Sequence, residues 1–182
     1  KAQLILAEDS QLVCTGWEAC AAVGGGKEQT VGTIVLDGAT LTATGGAQGA
    51  GLGTGFQGRG GSFYLKGNSI LTTTGGEGAA GLGSGFSGEG SSIVIEDSSK
   101  ITAKGGNHAA AIGGGEASKD TLITIRGGNI TANGGAMGAG IGTGYQGSCH
   151  ITITGGTVHS VGGSAGAGIG GVEGVTDNGL DL

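Results

Sequence analysis

The stretch GAGLGTG at residues 49–55 decides the fold, because close variants of it recur along the chain. The copies are CAAVGGG (20–26), AAGLGSG (79–85), AAAIGGG (109–115), GAGIGTG (138–144) and GAGIGG (166–171). Their large apolar residues follow one another at intervals of 29, 30, 30, 29 and 28 residues, and they are Val23, Leu52, Leu82, Ile112, Ile141 and Ile169. Self-similarity at such a period predicts a solenoid, in which each coil stacks on the previous one.

Composition alone would suggest disorder, since the 182 residues include 48 Gly and few charges. The order within each repeat indicates otherwise, because three strand-like pieces rich in β-branched residues alternate with Gly, Asn, Asp or Ser. The sequence therefore predicts an all-β fold, a right-handed parallel β-helix of about six coils of about 29 residues with three short strands each. Residues 1–172 would form this single domain, and residues 173–182 an acidic tail or partial cap.

Stacking the repeats tests this alignment, because equivalent residues of successive coils should lie about 4.8 Å apart. Three columns of large apolar residues and two of small residues are expected to face inward. The large columns are Leu4, Ile34, Phe63, Ile93, Ile123 and Ile151, then Leu6, Leu36, Leu65, Ile95, Ile125 and Ile153, then Leu12, Leu41, Leu71, Ile101, Ile130 and Val158. The small columns are Cys14, Ala43, Thr73, Ala103, Ala132 and Ser160, then Ala21, Ala50, Ala80, Ala110, Ala139 and Ala167.

A further column alternates in charge, with Asp37, Lys66, Glu96 and Arg126 in successive coils. Neighbouring exposed groups of opposite sign favour one register over slipped ones. We interpret this column as an exposed charge ladder.

Glycines of the third strand form the first candidate binding surface. If Ala50 and Leu52 point inward, a period of two turns their neighbours outward. The candidate residues are Gly51, Gly53, Gly81, Gly83, Gly140 and Gly142. A bare strip of this kind would admit a flat partner such as a polysaccharide, another copy or a neighbouring domain. The alternative is geometric, with glycine allowing a tight corner at positive φ and loops covering the strip.

Threonines of the second strand form the second candidate surface. Thr42 with Thr44, and Thr72 with Thr74, are expected to point outward as Thr-x-Thr pairs. Regular threonine arrays on flat β-helices order water in several antifreeze proteins. The alternative is that threonine is a common exposed strand residue.

The sequence shows no cluster of residues suited to catalysis or metal binding. Asp37 and Glu96 lie two coils apart, and His108, His150 and His159 lie on different faces or coils. We therefore expect no enzyme activity, no metal and no cofactor. The net charge of −6 argues against a nucleic-acid partner, and no apolar run is long enough to predict membrane insertion.

Three cysteines allow one pairing within the chain. Cys14 and Cys20 share the first coil, whereas Cys149 lies five coil spacings of about 4.8 Å away. A Cys14–Cys20 disulfide would suit an extracellular location, and three unpaired small thiols are the alternative. Cys149 shares its parity with inward residues and is expected to be inert.

The runs ITIRGGNITANGGAMGAGIGTG (123–144) and ITITGGTVHSVGGSAGAGIGG (151–171) resemble the Gly-rich repeats of large bacterial cell-surface proteins. Such proteins are described as carbohydrate-binding-domain-containing or pectin-lyase-like, and the likeness covers residues 2–172. It implies secretion or a cell-surface location, a place in a larger surface protein, and a polysaccharide, surface glycan or protein as partner. No catalytic residue of the pectin-lyase-like enzymes matches a position here. The first coil departs from the pattern at Trp17 and Cys20, which suggests an end coil.

These observations favour a non-catalytic extracellular β-helix module for adhesion or glycan binding. Ice binding through the threonines is the first alternative. A polysaccharide lyase or hydrolase that depends on Asp37 or Glu96 is the second.

Overall fold

Eighteen short strands build the fold, in a computed structural model that describes residues 2–173. They form three sheets of six strands each, and the described part of the chain contains no helix. The first sheet contains β1 (Gln3–Leu6), β4 (Thr30–Asp37), β7 (Arg59–Lys66), β10 (Ser92–Ile95), β13 (Thr121–Ile125) and β16 (Cys149–Ile153). The second contains β2 (Gln11–Thr15), β5 (Thr40–Thr44), β8 (Ile70–Thr74), β11 (Lys100–Lys104), β14 (Asn129–Asn133) and β17 (Thr157–Val161). The third contains β3 (Val23–Gly24), β6 (Leu52–Gly53), β9 (Leu82–Gly83), β12 (Ile112–Gly113), β15 (Ile141–Gly142) and β18 (Ile169–Gly170).

Every strand pairs in parallel with the equivalent strands of the coils before and after it, so the chain is a β-solenoid of about six turns. The register confirms the predicted columns: Ile93 pairs with Phe63 on one side and with Ile123 on the other. In the second sheet Ile101 pairs in the same way with Leu71 and Ile130. The predicted tail at 173–182 lies almost wholly outside the described residues, which end at Glu173.

The core is narrow and apolar. Phe63, Ile93, Leu71 and Leu82 are fully buried, and one continuous cluster joins the three sheets. Burying each such side chain stabilises the fold by roughly 1.5–3 kcal/mol, so the three large columns offset the backbone entropy lost by the many glycines. Burial decreases at the two ends, where Leu4 is 41% and Ile169 45% exposed.

The predicted charge ladder is present on the outside of the first sheet. Lys66 Nζ lies 2.8 Å from Asp37 Oδ2, and Arg126 Nη1 lies 2.6 Å from Glu96 Oε1. The nearby Asp37 carboxylate raises the pKa of Lys66 through a hydrogen bond and its charge. Two ion pairs therefore connect the second coil to the third and the fourth coil to the fifth.

The third strand differs from the prediction in length and direction. Only two residues per coil, such as Leu82–Gly83, have strand geometry, where an extended piece over 79–85 was expected. Gly83 has a φ of +133°, so the alternation of inward and outward residues does not continue through it. The segment instead closes a tight loop, in which the Ala80 amide donates to the Ser84 carbonyl.

Candidate functional site

The six candidate glycines are buried, so the predicted exposure of the strip is wrong. A Cβ on Gly51 would overlap the Thr73 hydroxyl inside the solenoid, and one on Gly81 would lie 2.7 Å from the Lys104 carbonyl oxygen. Gly53, Gly83 and Gly142 point along the solenoid axis. A Cβ on each would overlap the carbonyl oxygen of the equivalent glycine in the next coil. The six buried glycines are Gly51, Gly53, Gly81, Gly83, Gly140 and Gly142. Glycine is present here because neighbouring backbones approach closely, which was the geometric alternative.

The candidate threonines lie on an open surface. Thr42, Thr44 and Thr72 are exposed and Thr74 is half-buried. The strand register places Thr42 beside Thr72, and Thr44 beside Thr74. The column continues through Thr102 but is interrupted beside it by Lys104, so both positions hold threonine in two coils only.

A groove that the sequence analysis missed runs along the axis, at the corner between the third and first sheets. We call it the corner groove; its volume is about 660 Å³. Its lining comes in pairs from four successive coils: Glu28 and Thr30, Gln57 and Arg59, Ser87 and Glu89, Ala117 and Lys119. Most of these side chains can donate or accept hydrogen bonds: both members of the first three pairs are polar, and the fourth pair contributes Lys119.

Opposite charges alternate along one wall of the corner groove. Arg59, Glu89 and Lys119 pair in parallel register in successive coils. The Arg59 Nε lies 3.8 Å from Glu89 Oε2, and these side chains are 72% and 52% exposed. An ion pair this exposed contributes little to stability, and its members are free to reorient toward a ligand.

The other wall carries unusual backbone geometry. Gln57 has a φ of +50° and Ser87 a φ of +51°. Each is in a turn closed by a hydrogen bond, from the Gly58 amide to the Gly55 carbonyl in one coil and from Gly88 to Gly85 in the next. Glycine is the favoured residue at positive φ in turns. The equivalent position is nevertheless a residue with a side chain in five coils: Glu28, Gln57, Ser87, Ala117 and Gln146.

The backbone beneath the corner groove is already paired. The Arg59 amide donates to the Gln29 carbonyl, and the Glu89 amide donates to the Gly58 carbonyl. A ligand in the groove would therefore meet side chains as its hydrogen-bonding partners.

Aromatic residues lie next to the corner groove, because Phe56 directly precedes Gln57 and Phe86 directly precedes Ser87. The rings of Phe56 and Phe86 stack with centroids 5.6 Å apart, and Lys27 Nζ lies 5.6 Å from the Phe56 centroid. In the next coil Glu116 takes this position, and its carboxylate lies 2.8 Å from His108 Nδ1. The contacts of Lys27, Phe56 and Phe86 connect three successive coils, and the His108–Glu116 contact lies within the fourth.

The residues named for catalysis do not come together. Asp37 binds Lys66 and Glu96 binds Arg126, so each carboxylate is engaged by a neighbouring cation. Within residues 2–173 no three His, Cys, Asp or Glu side chains are placed to hold a metal ion. The same residues include no helix long and apolar enough to cross a membrane.

The cysteines are free thiols in the structure, so the Cys14–Cys20 disulfide is not formed there. Cys14 lies in its inward column and packs against the core, whereas the Cys20 sulfur lies close to Gly26 at the corner. Cys149 faces inward as expected, and burial raises the pKa of its thiol to about 11. It therefore remains protonated and unreactive at neutral pH.

Comparison with known families supports the architecture. Residues 93–116, 123–145 and 151–174 match a family model described as a β-helix repeat. These three segments are β-helix repeats, and the β-solenoid architecture agrees with them. Each match includes most of a first-sheet strand, a second-sheet strand and a third-sheet strand of one of the last three coils. The comparisons with curated proteins and with solved structures found no match.

Proposed function

We propose that this protein is a non-catalytic extracellular module that binds glycans in adhesion, and that the corner groove holds the glycan. The observation that carries the proposal is the repetition of polar side chains along four successive coils. A linear polysaccharide presents hydroxyl groups at regular intervals. A chain lying along the solenoid axis would meet equivalent partners about every 4.8 Å.

The backbone geometry supports a role for the side chains of the groove. Holding a residue other than glycine at positive φ costs roughly 1–2 kcal/mol. In a chain with 48 glycines, the groove has Gln57 and Ser87 at such positions. Strained residues cluster at ligand sites, where their side chains are needed.

The charge pattern favours an uncharged glycan. Arg59, Glu89 and Lys119 alternate in sign, so the field along the groove largely cancels. A polyuronate would gain from Arg59 and Lys119 but would be repelled by Glu28 and Glu89. Gln57, Ser87 and Thr30 offer neutral hydrogen bonds to sugar hydroxyls.

The proposal is for binding without catalysis. Glycoside hydrolysis uses two carboxyl groups that flank the scissile bond. Glu28 and Glu89 lie two coils apart, and Arg59 lies beside Glu89. The extracellular location rests on the resemblance to surface repeats and is part of the proposal.

Replacing both Gln57 and Ser87 by alanine should weaken glycan binding roughly tenfold, because two neutral hydrogen-bonding groups are lost. Isothermal titration against a panel of soluble neutral polysaccharides and polyuronates would measure this effect. Gln146→Ala is the matched control, because Gln146 has the same backbone geometry, with a φ of +57°, but does not line the groove.

Binding that is equal in the double variant and in Gln146→Ala would contradict the placement of the glycan in the corner groove. The absence of binding to every polysaccharide in the panel would contradict the glycan-binding function. A preference for polyuronates would contradict the neutral ligand class.

Ice binding is the second candidate, favoured by the exposed and aligned threonines of the second sheet. It predicts thermal hysteresis that Thr72→Tyr abolishes. Thr152→Tyr, an exposed threonine on the first sheet, should leave the hysteresis unchanged. The absence of thermal hysteresis at millimolar protein concentration would contradict ice binding.

A further inference from the structure

The outer face of the first sheet carries an apolar stripe that the proposed function does not use. Ile5, Val35, Tyr64 and Val94 are aligned in successive coils and point away from the core. Ile5 is 56% and Tyr64 39% exposed, and the two valines are half-buried. Contiguous exposed apolar residues bordered by polar ones mark interaction surfaces more often than isolated ones do.

The charge ladder lies at one margin of this stripe, two residues further along each strand. Read along the axis, its charges are negative, positive, negative and positive, at Asp37, Lys66, Glu96 and Arg126. The uncharged Ala7 and Thr154 occupy the same column in the first and last coils. The pattern therefore centres on the midpoint between the third and fourth coils.

Reversing this pattern exchanges every sign. Consider a second copy related to the first by a two-fold axis that runs parallel to the strands and passes between Lys66 and Glu96. The outer faces of the two first sheets then face each other, and the two solenoid axes are antiparallel. Lys66 then faces the partner's Glu96, and Asp37 faces the partner's Arg126. In a parallel dimer whose two-fold axis follows the charge ladder, each charge would face its own like charge, which is unfavourable.

We propose that this face is the interface of an antiparallel homodimer. The same two-fold axis places Tyr64 against the partner's Val94 at the centre of the face, and Val35 against the partner's Thr124, while the charges lie at the rim. An isologous two-fold interface is the commonest form of homo-oligomer. The charge ladder sets the orientation, and Tyr64 and Val94 supply the buried apolar surface at the centre.

The size of the face sets the strength of the dimer. Five residues of about 3.3 Å and six strands about 4.8 Å apart give roughly 450 Å² for each copy. The total, about 900 Å², lies below the usual range for stable complexes of about 1,200–2,000 Å². The dimer is therefore reversible and depends on concentration.

The first experiment is sedimentation velocity of the 182-residue chain, from about 10 µM to about 1 mM. We expect a monomer–dimer equilibrium whose dissociation constant rises at least about tenfold in Tyr64→Lys. Ile70→Lys is the matched control on the second sheet, because Ile70 is 43% exposed, and it should leave the equilibrium unchanged. A monomer at all concentrations, or equal effects of the two variants, would overturn the proposal.

The second experiment tests the orientation with a charge-inverted variant: Asp37→Lys, Lys66→Asp, Glu96→Arg and Arg126→Glu. Opposite signs remain adjacent within the chain, so folding is maintained, and this variant should dimerise with itself. It should not form mixed dimers with the wild type, because every facing pair would then have like charge. Native mass spectrometry of the mixture measures this, and a preference for mixed dimers would overturn the antiparallel arrangement.

Discussion

Gly83→Ala is expected to lower the free energy of unfolding by roughly 3–5 kcal/mol. Gly83 has a φ of +133°, which side-chain-bearing residues rarely adopt. The added Cβ would overlap the Gly113 carbonyl oxygen of the next coil and lie 3.1 Å from Ile93 Cδ1. Relieving this overlap requires the coils to separate, which weakens their hydrogen bonds. Urea unfolding followed by circular dichroism measures the loss.

Gly90→Ala separates backbone strain from overlap. Gly90 also has a positive φ, of +68°, but it is exposed, and its added Cβ would lie 3.9 Å from the nearest atom. Only the strain remains, which costs about 1–2 kcal/mol. If both variants lose the same stability, close packing between coils is not the reason for glycine at position 83.

The columns of the first two sheets could be predicted because two regularities agree there. Alternation along a strand selects the inward residues, and the coil period places them in one column. Ile93 satisfies both conditions, between Phe63 and Ile123, and any slip in the register would turn it outward. The charge ladder could be predicted for the same reason.

The third strand could not be predicted in the same way, because its alternation of glycine with other residues does not reflect an extended backbone. Two residues per coil, Leu52 and Gly53 for example, are in the strand, and Gly53 already has a φ of +155°. The alternation of inward and outward side chains along the strand does not continue beyond such a residue. Exposure of the glycines was extrapolated from that period and was wrong.

The corner groove was missed because most of its residues lie in turns or isolated bridges, outside both periodic patterns. A signal was nevertheless available, since FQGRG (56–60), FSGEG (86–90) and EASKD (116–120) occupy equivalent positions. Aligning them shows a charged residue, Arg59, Glu89 or Lys119, at or shortly before the start of the first-sheet strand in each of these coils. The positive φ of Gln57 and Ser87 could not be inferred, since glycine is the expected residue there.

Ile93→Ala is expected to lower the free energy of unfolding by about 3–4 kcal/mol. Ile93 is fully buried in the fourth coil and pairs with Phe63 below and Ile123 above. Removing its side chain leaves a cavity bounded by strands that cannot collapse without breaking their hydrogen bonds. Because each coil contacts only its neighbours, a defect in the middle also weakens the coupling between the two halves of the solenoid.

Leu4→Ala is the matched control, because Leu4 occupies the same column in the first coil, where it is 41% exposed. Its loss should cost only about 1–2 kcal/mol, since a large part of the side chain stays in water and a coil stacks on one side only. Urea unfolding of both variants compares the costs, and a lower m value in Ile93→Ala would indicate that the halves unfold separately. Equal costs at the two positions would mean that stability is not set by the stacking of coils on both sides of a residue.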